Sequence, residues 1–242
     1  MINKEPVITV KNMVKKFGTF VANDNLNFEV YKGEIFGFIG ANGAGKTTAI
    51  RILCGLSTPT SGEMNVAGYD IYHQTEKIKK NIGYMSQKFS LYEDLTIAEN
   101  IRFFGGVYGM KITERKARTE EMLERLDLMA FKNRKIGDLP LGWKQKLAFS
   151  IAILHNPKIV FLDEPTGGVD PITRRQFWNL IYEAVQKGIT VFVTTHYMDE
   201  AEYCDRVSIM SEGQIVALDT PENLKKQYNA INMDEVFLKI AR

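Results

Sequence analysis

Apolar residues recur along the first part of this chain with the short spacings that predict β-strands. Alternating or continuous apolar runs lie at residues 7–10, 26–30, 34–39 and 64–66. Glycines and polar residues separate these runs, as expected for turns between strands. The N-terminal part of the chain is therefore predicted to be rich in β-structure.

The last third of the chain alternates between buried strands and a helix. Residues 159–162 and 189–193 are nearly continuous apolar runs, which are typical of strands covered on both faces. A helix-like stretch at residues 172–186 lies between them. This order of strand, helix and strand indicates a parallel sheet with crossover helices.

Between these two regions, residues 95–155 have a helical pattern. Residues 113–128 are rich in Glu, Lys and Arg, and an apolar stripe runs along this segment. The stripe consists of Met122, Leu123, Leu126 and Met129. We interpret the block as a helical insertion into an α/β core.

Composition excludes some functions without choosing one. The 242 residues are 45% hydrophobic with a net charge of +2, which is ordinary for a globular protein and predicts no nucleic-acid partner. Cys54 and Cys204 lie far apart without metal-type spacing, as expected for reduced thiols in the cytoplasm. The sequence has neither a secretory signal nor an apolar run of about 20 residues, so we expect a cytoplasmic protein.

A glycine-rich segment at residues 40–47 fits the pattern G-x-x-x-x-G-K-[ST]. It lies between an apolar strand and a helical pattern, where backbone amides and a helix N-terminus can surround a phosphate. Lys46 would then contact the β- and γ-phosphates, and the Thr47 hydroxyl would bind Mg²⁺. A helix-capping turn with an exposed lysine is the alternative. The predicted nucleotide-binding residues here are Gly40, Ala41, Asn42, Gly43, Ala44, Gly45, Lys46, Thr47 and Thr48.

Two carboxylates, Asp163 and Glu164, end the buried strand at residues 159–162. Carboxylates at that position are costly unless a cation meets them. A magnesium ion beside the phosphates would do so, with Asp163 as a ligand and Glu164 as the base that activates water. Alone, such a pair is more often a helix cap or a solvated turn.

With these motifs the chain resembles the nucleotide-binding subunits of ABC transporters, most closely those of multidrug-type exporters. The resemblance covers nearly the whole chain and is carried by GANGAGKTT at 40–48, IGYMSQ at 82–87, IVFLDEPTGGVDP at 159–171 and VTTHYMDEAE at 193–202. It implies one ABC-type ATPase domain with a P-loop NTPase core, a mixed or parallel sheet and a small antiparallel β subdomain. It also implies subdomain boundaries at about 1–87, 88–155 and 156–242.

The resemblance also implies roles for individual residues. Phe17 matches the aromatic residue that stacks on adenine, and a core phenylalanine is the alternative. Gln87 matches the glutamine that reaches Mg²⁺ and the attacking water. His196 matches the histidine that contacts the γ-phosphate, and Asp170 matches a carboxylate that crosses the interface between two ATPase domains. Catalytic residues would thus be Glu164, His196 and Lys46.

The ABC signature, usually LSGGQ or LSGGM, is altered here to Leu139-Pro140-Leu141-Gly142-Trp143. In the family this segment is a helix N-terminus that faces the γ-phosphate on a second ATPase domain. Proline is tolerated in the first turn of a helix, so we expect a helix from about Trp143. Pro140 cannot donate a hydrogen bond, whereas the amide of Gly142 still can.

Two interpretations of the altered signature remain open. One is an active ATP-hydrolysing homodimer, and the other is a weakened site that needs a different partner ATPase. A regulatory ATP-binding module with little hydrolysis is the alternative function.

The resemblance further implies a membrane-spanning transporter subunit that would hold this chain at the cytoplasmic face of the membrane. Its coupling helix would dock on the helical block near Gln87, where Glu93 and Asp94 lie. Hydrophobic candidates for that groove, or for the core of the block, are Phe89, Leu91, Tyr92, Phe103, Phe104 and Tyr108.

Overall fold

The computed structural model describes residues 5–87 and 91–240. Within these two ranges, ten strands follow one another along the chain. In chain order they are β1 (Pro6–Phe17), β2 (Phe20–Tyr31), β3 (Ile35–Gly40), β4 (Ser61–Val66), β5 (Tyr69–Asp70), β6 (Ile82–Met85), β7 (Ile159–Asp163), β8 (Thr190–Thr195), β9 (Arg206–Ser211) and β10 (Gln214–Asp219).

The α-helices lie between and after these strands. They are α1 (Lys46–Leu53), α2 (Thr75–Asn81), α3 (Ile97–Val107), α4 (Ile112–Arg125), α5 (Leu141–Ala152), α6 (Pro171–Gln186), α7 (Pro221–Gln227) and α8 (Met233–Ile240). None of the helices in the described ranges has both the length and the apolar composition needed to cross a bilayer.

The larger sheet has the strand order β10-β9-β3-β8-β7-β6. Its five strands from β9 to β6 are parallel, and β10 pairs antiparallel with β9. Because both faces are covered, neighbouring residues of one strand enter two different cores. Ile35 and Ile39 of β3 pack in the core that contains the helical block, whereas Phe36 and Phe38 pack in the other.

A cluster of aromatic side chains fills the second core. The rings of Phe36 and Phe38 lie 5.5 and 5.2 Å from the ring of Phe192, and Phe161 lies 5.4 Å from it. Phe28 of β2 joins the same cluster from the smaller sheet. These contacts hold the smaller sheet, with its antiparallel order β2-β1-β4-β5, against the larger one.

The helical block is built from α3, α4 and α5. A capping box starts α3, since Thr96 Oγ1 accepts from the Glu99 amide and the Glu99 carboxylate accepts from the Thr96 amide. The stripe predicted on α4 is confirmed: Met122, Leu123 and Leu126 are buried, and Met129 packs against them.

The sequence-based predictions of fold agree with this architecture. It is an α/β fold with a mixed sheet, a small antiparallel sheet and a helical insertion. The start of α5 is a correction, because this helix begins at Leu141 with Pro140 as its N-cap, two residues before Trp143. Proline fits both positions, since its φ of −58° suits the cap as well as the first turn.

His155 joins the helical block to the larger sheet. Its ring stacks on Tyr108 at 3.9 Å, and its Nε2 lies 3.0 Å from the Ile82 carbonyl oxygen. Burial lowers the pKa of His155 to about 4, although the contact with the Ile82 carbonyl opposes this shift. The neutral ring is therefore the form that fits the fold.

This burial predicts that the protein loses stability in mild acid. The unfolded chain binds a proton at His155 below its ordinary pKa of 6.5, and the folded chain does so only near 4. The unfolding free energy should therefore fall by up to about 3 kcal/mol as pH drops through this window. Chemical denaturation at several pH values measures it.

Two variants separate this effect from other titrations. His155→Phe keeps a ring against Tyr108 and should flatten the pH dependence between 6.5 and 4. His73→Phe changes an exposed histidine and should leave the slope as it is. An unchanged slope in His155→Phe would contradict the prediction.

Candidate functional site

In the glycine-rich loop between β3 and α1, glycines occupy the two positions at which the backbone φ is positive. Gly45 caps α1 with a φ of +99°. A Cβ at this position would lie 2.3 Å from the carbonyl oxygen of Ala22, so a side chain is excluded sterically as well. Gly43 also has a positive φ, +84°. The loop thus curls tightly in front of the first turn of α1.

Lys46 is the first residue of α1 and is 4% exposed. Its Nζ donates to the carbonyl oxygens of Gly40 (2.7 Å) and Ala41 (3.0 Å), and it lies 3.4 Å from Glu164 Oε1. Burial lowers the pKa of Lys46, whereas the Glu164 carboxylate raises it. An ammonium group is thereby held beneath the loop.

Glu164 is the point at which the predicted site residues meet. Its Oε2 accepts from Gln87 Nε2 at 2.9 Å and lies 3.0 Å from His196 Nδ1, while its Oε1 faces Lys46. Its backbone is left-handed, with a φ of +49°. The amide of Glu164 donates to the backbone and side-chain oxygens of Thr194, which hold this strained residue in place.

Asp163, one residue earlier, is 1% exposed at the end of β7. Its Oδ1 accepts from Thr47 (3.2 Å) and Thr194 (2.7 Å). Its Oδ2 has no hydrogen-bond partner among the described residues. Burial raises the pKa of Asp163, and the two hydroxyl groups partly offset this. A buried oxygen without a donor beside a threonine hydroxyl fits a hard cation that takes oxygen ligands.

These residues open onto a cavity of about 410 Å³. The cavity is lined by Phe20, Ala22, Asn42, Gly43, Gly45, Lys46, Thr47, Thr48, Gln87 and Glu164. The structure thus brings the glycine-rich loop, the glutamine and the strand-end carboxylate together around one space. His196 borders the space through its contact with Glu164.

Phe17 is 55% exposed, so the core alternative for this residue is wrong. Phe17 is not among the residues that line the cavity, and its ring lies 4.8 Å from Lys15 Nζ. Phe20, its partner across the β1–β2 turn, does line the cavity and is 63% exposed. No motif in the sequence pointed to Phe20.

Gly142 and Asp170 line a second cavity of about 500 Å³, with Pro140 and Trp143. Its lining shares no residue with the first cavity. A Cβ on Gly142 would lie 2.4 Å from Thr173 Cγ2, so α5 and α6 approach closely only because this residue is glycine.

Asp170 acts as the N-cap of α6. Its Oδ1 accepts from the amides of Ile172 and Thr173, each at 3.0 Å, and its Oδ2 accepts from Thr173 Oγ1 at 2.6 Å. These bonds lower the pKa of Asp170. Pro171 follows at the first helical position.

Two residues link α5 to the loop after β7, and sequence reasoning missed one of them, Gln145. Gln145 is 7% exposed, and its Nε2 donates to the Gly167 carbonyl oxygen at 3.0 Å. Leu141 lies against Gly168, because a Cβ on that glycine would be 3.5 Å from Leu141 Cδ2. Gln145 lies in the second turn of α5 and belongs to none of the motifs, whereas Leu141 is part of the altered signature.

Comparison with known proteins identifies the family. Residues 23–167 match the family described as ABC transporter. The chain is 50% identical over 92% of its length to the probable multidrug ABC transporter ATP-binding protein YbhF of Escherichia coli, but it spans only 39% of that protein. It is 36% identical over 90% of its length to the linearmycin resistance ATP-binding protein LnrL of Bacillus subtilis, of which it spans 70%.

Solved structures are similar over the whole fold. An ATP-binding subunit of an ABC transporter matches with a TM-score of 0.88 and 28% identity, covering 98% of this chain and all of that one. A dimeric ATP-binding cassette in a post-hydrolysis state, bound to ADP and Pi, matches with a TM-score of 0.79 and 29% identity, covering 88% of this chain and 98% of that one. The chain therefore belongs to the ABC transporter family.

Proposed function

We propose that this chain binds ATP with Mg²⁺ and hydrolyses it to drive a membrane transporter. The observation that carries the proposal is the convergence of Lys46, Gln87 and His196 on the Glu164 carboxylate. These four side chains come from four separate segments of the chain. Their meeting beside a phosphate-type loop supplies a base, a cation and two hydrogen-bonding groups in one place.

Different residues around the cavity bind the phosphates, the Mg²⁺ ion and the base of the nucleotide. The loop amides and the Lys46 ammonium group bind the β- and γ-phosphates of ATP, because the partial positive charge of the amides and the full charge of the lysine both face the cavity. Thr47, Asp163 and Gln87 would hold Mg²⁺, which when bound neutralises phosphate charge. The exposed rings of Phe17 and Phe20 are available for stacking on the base, Phe17 by family resemblance and Phe20 by its place in the cavity.

Glu164 serves as the base in the chemical step. Its carboxylate is the ionic partner of Lys46, with Oε1 3.4 Å from Lys46 Nζ. A γ-phosphate would replace it as that partner, so that Glu164 is left to accept a proton from water. The water oxygen bonds to the γ-phosphorus, the bond to the bridging oxygen breaks, and ADP and phosphate result. His196 stabilises the charge that develops on the phosphate.

Two ATPase domains complete the site in this proposal. The two separate cavities support it, since the cavity that Gly142 and Asp170 line contains no residue of the glycine-rich loop. The first turn of α5 has no side-chain cap and no acidic residue, which leaves its amides able to face a phosphate across the interface. A second copy is the simplest partner, and a different ATPase chain would serve as well.

The named relatives suggest the transported class. YbhF is named as a probable multidrug ABC transporter ATP-binding protein and LnrL as a linearmycin resistance ATP-binding protein, so we propose drug export through a separate membrane-spanning subunit. The chain would then lie on the cytoplasmic face of the membrane. A regulatory module without hydrolysis is less consistent with the complete set of polar groups around Glu164.

An aromatic surface on the helical block suits the membrane subunit. Tyr92 and Phe103 are about half exposed, and their rings lie 4.9 Å apart. Phe104 and Tyr108 are partly buried against the core, and Leu91 is fully within it, so the predicted groove residues divide between the surface and the core. Phe89 lies outside the described residues. An exposed aromatic pair is typical of a protein interface.

Replacing Glu164 by Gln should abolish hydrolysis and preserve nucleotide binding. Loss of a general base costs about 10² to 10⁴ in rate, whereas the amide keeps the size of the side chain. Lys46→Ala should instead weaken binding itself. Phosphate release and fluorescent-nucleotide titration measure the two effects. A Glu164→Gln protein that hydrolyses ATP at the wild-type rate would contradict the proposed chemistry.

Pro140→Ser should strengthen ATP-dependent dimerisation. The serine hydroxyl adds a hydrogen bond to an anionic phosphate, a contact of about 1.5–3 kcal/mol, so the dimer constant should rise about tenfold or more. Sedimentation with MgATP in a Glu164→Gln background measures it. Pro140→Ala also removes the ring but adds no hydroxyl, so equal behaviour of the two variants would show that the hydroxyl is irrelevant.

Charge reversal at Asp94, exposed beside Tyr92, should release the chain from its membrane subunit. The fraction of tagged Asp94→Arg protein that sediments with host membranes should fall several-fold, while the purified protein keeps its ATPase rate. Glu63→Arg, exposed on β4 of the smaller sheet, is the matched control and should sediment like wild type. Full membrane retention of Asp94→Arg would exclude this surface as the docking site.

A further inference from the structure

A carboxylate that the mechanism above does not use lies completely buried near the site. Glu200 is 0% exposed, in the 3-10 turn Met198–Tyr203 that follows β8 and His196. An ionised side chain removed from water is costly unless donors and an opposite charge surround it. The partners that meet this need therefore indicate what the residue does.

The donors around Glu200 all converge on its Oε1. Thr166 Oγ1 donates at 2.5 Å and Trp178 Nε1 at 3.3 Å, and Arg174 Nε lies 3.7 Å away. Its Oε2 has no hydrogen-bond partner within the described part of the chain. Thr166 is itself 1% exposed. One oxygen atom thus ties together the loop after β7, helix α6 and the turn after β8.

The hydrogen bond between Thr166 and Glu200 fixes the loop that carries Glu164, the predicted base. Thr166 lies two residues after Glu164, and the Gly167 amide donates to the Glu164 carbonyl oxygen at 3.2 Å. Glu164 needs support of this kind, because its left-handed backbone is strained. A loop anchored at Thr166 cannot shift without moving the Glu164 carboxylate.

A second series of contacts connects Glu200, through Arg174, to the neighbourhood of His196. The Arg174 guanidinium lies 4.2 Å from the centre of the Tyr197 ring and pairs with Asp199 at 3.3 Å. The Tyr197 ring in turn lies 4.1 Å from the imidazole of His196. Arg174 thereby connects the buried carboxylate to the residue next to the histidine.

From these contacts we infer that Thr166 and Glu200 are positioning residues for ATP hydrolysis. They set the Glu164 carboxylate and the His196 imidazole at a fixed separation, and they touch neither the nucleotide nor the water. This inference rests on the proposed roles of Glu164 and His196. It requires that the pair affect the chemical step and leave nucleotide binding, which the glycine-rich loop performs, unchanged.

The kinetic test uses three variants of the full chain. Thr166→Val keeps the shape of threonine and removes the donor, Thr166→Ser keeps the donor, and Glu200→Gln removes the charge. We expect kcat to fall about tenfold in Thr166→Val and Glu200→Gln, as for other groups that orient a reacting residue, and to stay within twofold of wild type in Thr166→Ser. The dissociation constant for ATP should stay within twofold in all three.

A second readout follows the imidazoles directly. The chain has three histidines, so side-chain NMR can resolve each ring. In Thr166→Val and Glu200→Gln the signals of His196 should move, whereas those of the exposed His73 should not. This measurement needs no hydrolysis and detects a repositioned imidazole in protein that is still folded.

The outcomes separate the two proposals. Wild-type kcat in Thr166→Val, or unmoved His196 signals in both variants, overturns the inference whatever Glu164→Gln does. A loss of kcat matched by an equal loss of folded protein or of ATP affinity overturns it too, because that is a general structural effect. Hydrolysis by Glu164→Gln at the wild-type rate overturns the proposed function instead.

Discussion

The buried ion pair between Lys46 and Glu164 is the interaction on which the rest of the site depends. Their side chains are 3% and 8% exposed, so neither charge is solvated well enough to be stable alone. Each compensates the other while the Lys46 ammonium also donates to the loop carbonyls. In the proposed ATP complex this pair opens, since a γ-phosphate and the Glu164 carboxylate compete for the Lys46 ammonium group. Within the chain, the Lys46 ammonium and the Glu164 carboxylate thus neutralise each other.

The parallel sheet makes this pairing possible. Strands β3, β7 and β8 lie side by side, with Ile39 opposite Thr195 and Asp163 opposite Thr194. Their carboxyl ends therefore reach the same edge, where the glycine-rich loop follows β3, Asp163 and Glu164 lie at the end of β7, and His196 follows β8. Residues more than a hundred positions apart in the chain meet because parallel strands share direction. The aromatic cluster around Phe192, on one face of the sheet, packs against all three of these strands.

The strands and the motifs could be predicted because the signal for each lies within a short continuous stretch of the sequence. Apolar runs marked β3, β7 and β8, and the residues that follow each run proved to be neighbours. The start of α5 was missed by two residues, since the dihedral of Pro140 suits a cap and a first turn equally. Phe20 and the pair of Thr166 with Glu200 were missed because they depend on contacts across the fold. Thirty-four residues separate Thr166 from Glu200, and no periodicity relates them. The subdomain boundaries near residues 87 and 155 remain predictions.

The residues at and near the altered signature pack against the loop that carries Glu164. Gln145 and Leu141 fasten the start of α5 to Gly167 and Gly168, in the loop that carries Glu164. In the proposed dimer, a phosphate bound at the N-terminus of α5 belongs to the other ATPase domain. In that dimer, a displacement of the helix end would reach Glu164 of its own chain through the contacts of Gln145 and Leu141, because closely packed side chains transmit strain. Leucine at position 141 adds one such contact that glycine could not make. In the proposed dimer, the change that removes a hydroxyl at Pro140 would thus be accompanied by one, at Leu141, that adds a contact between the start of α5 and the loop that carries Glu164.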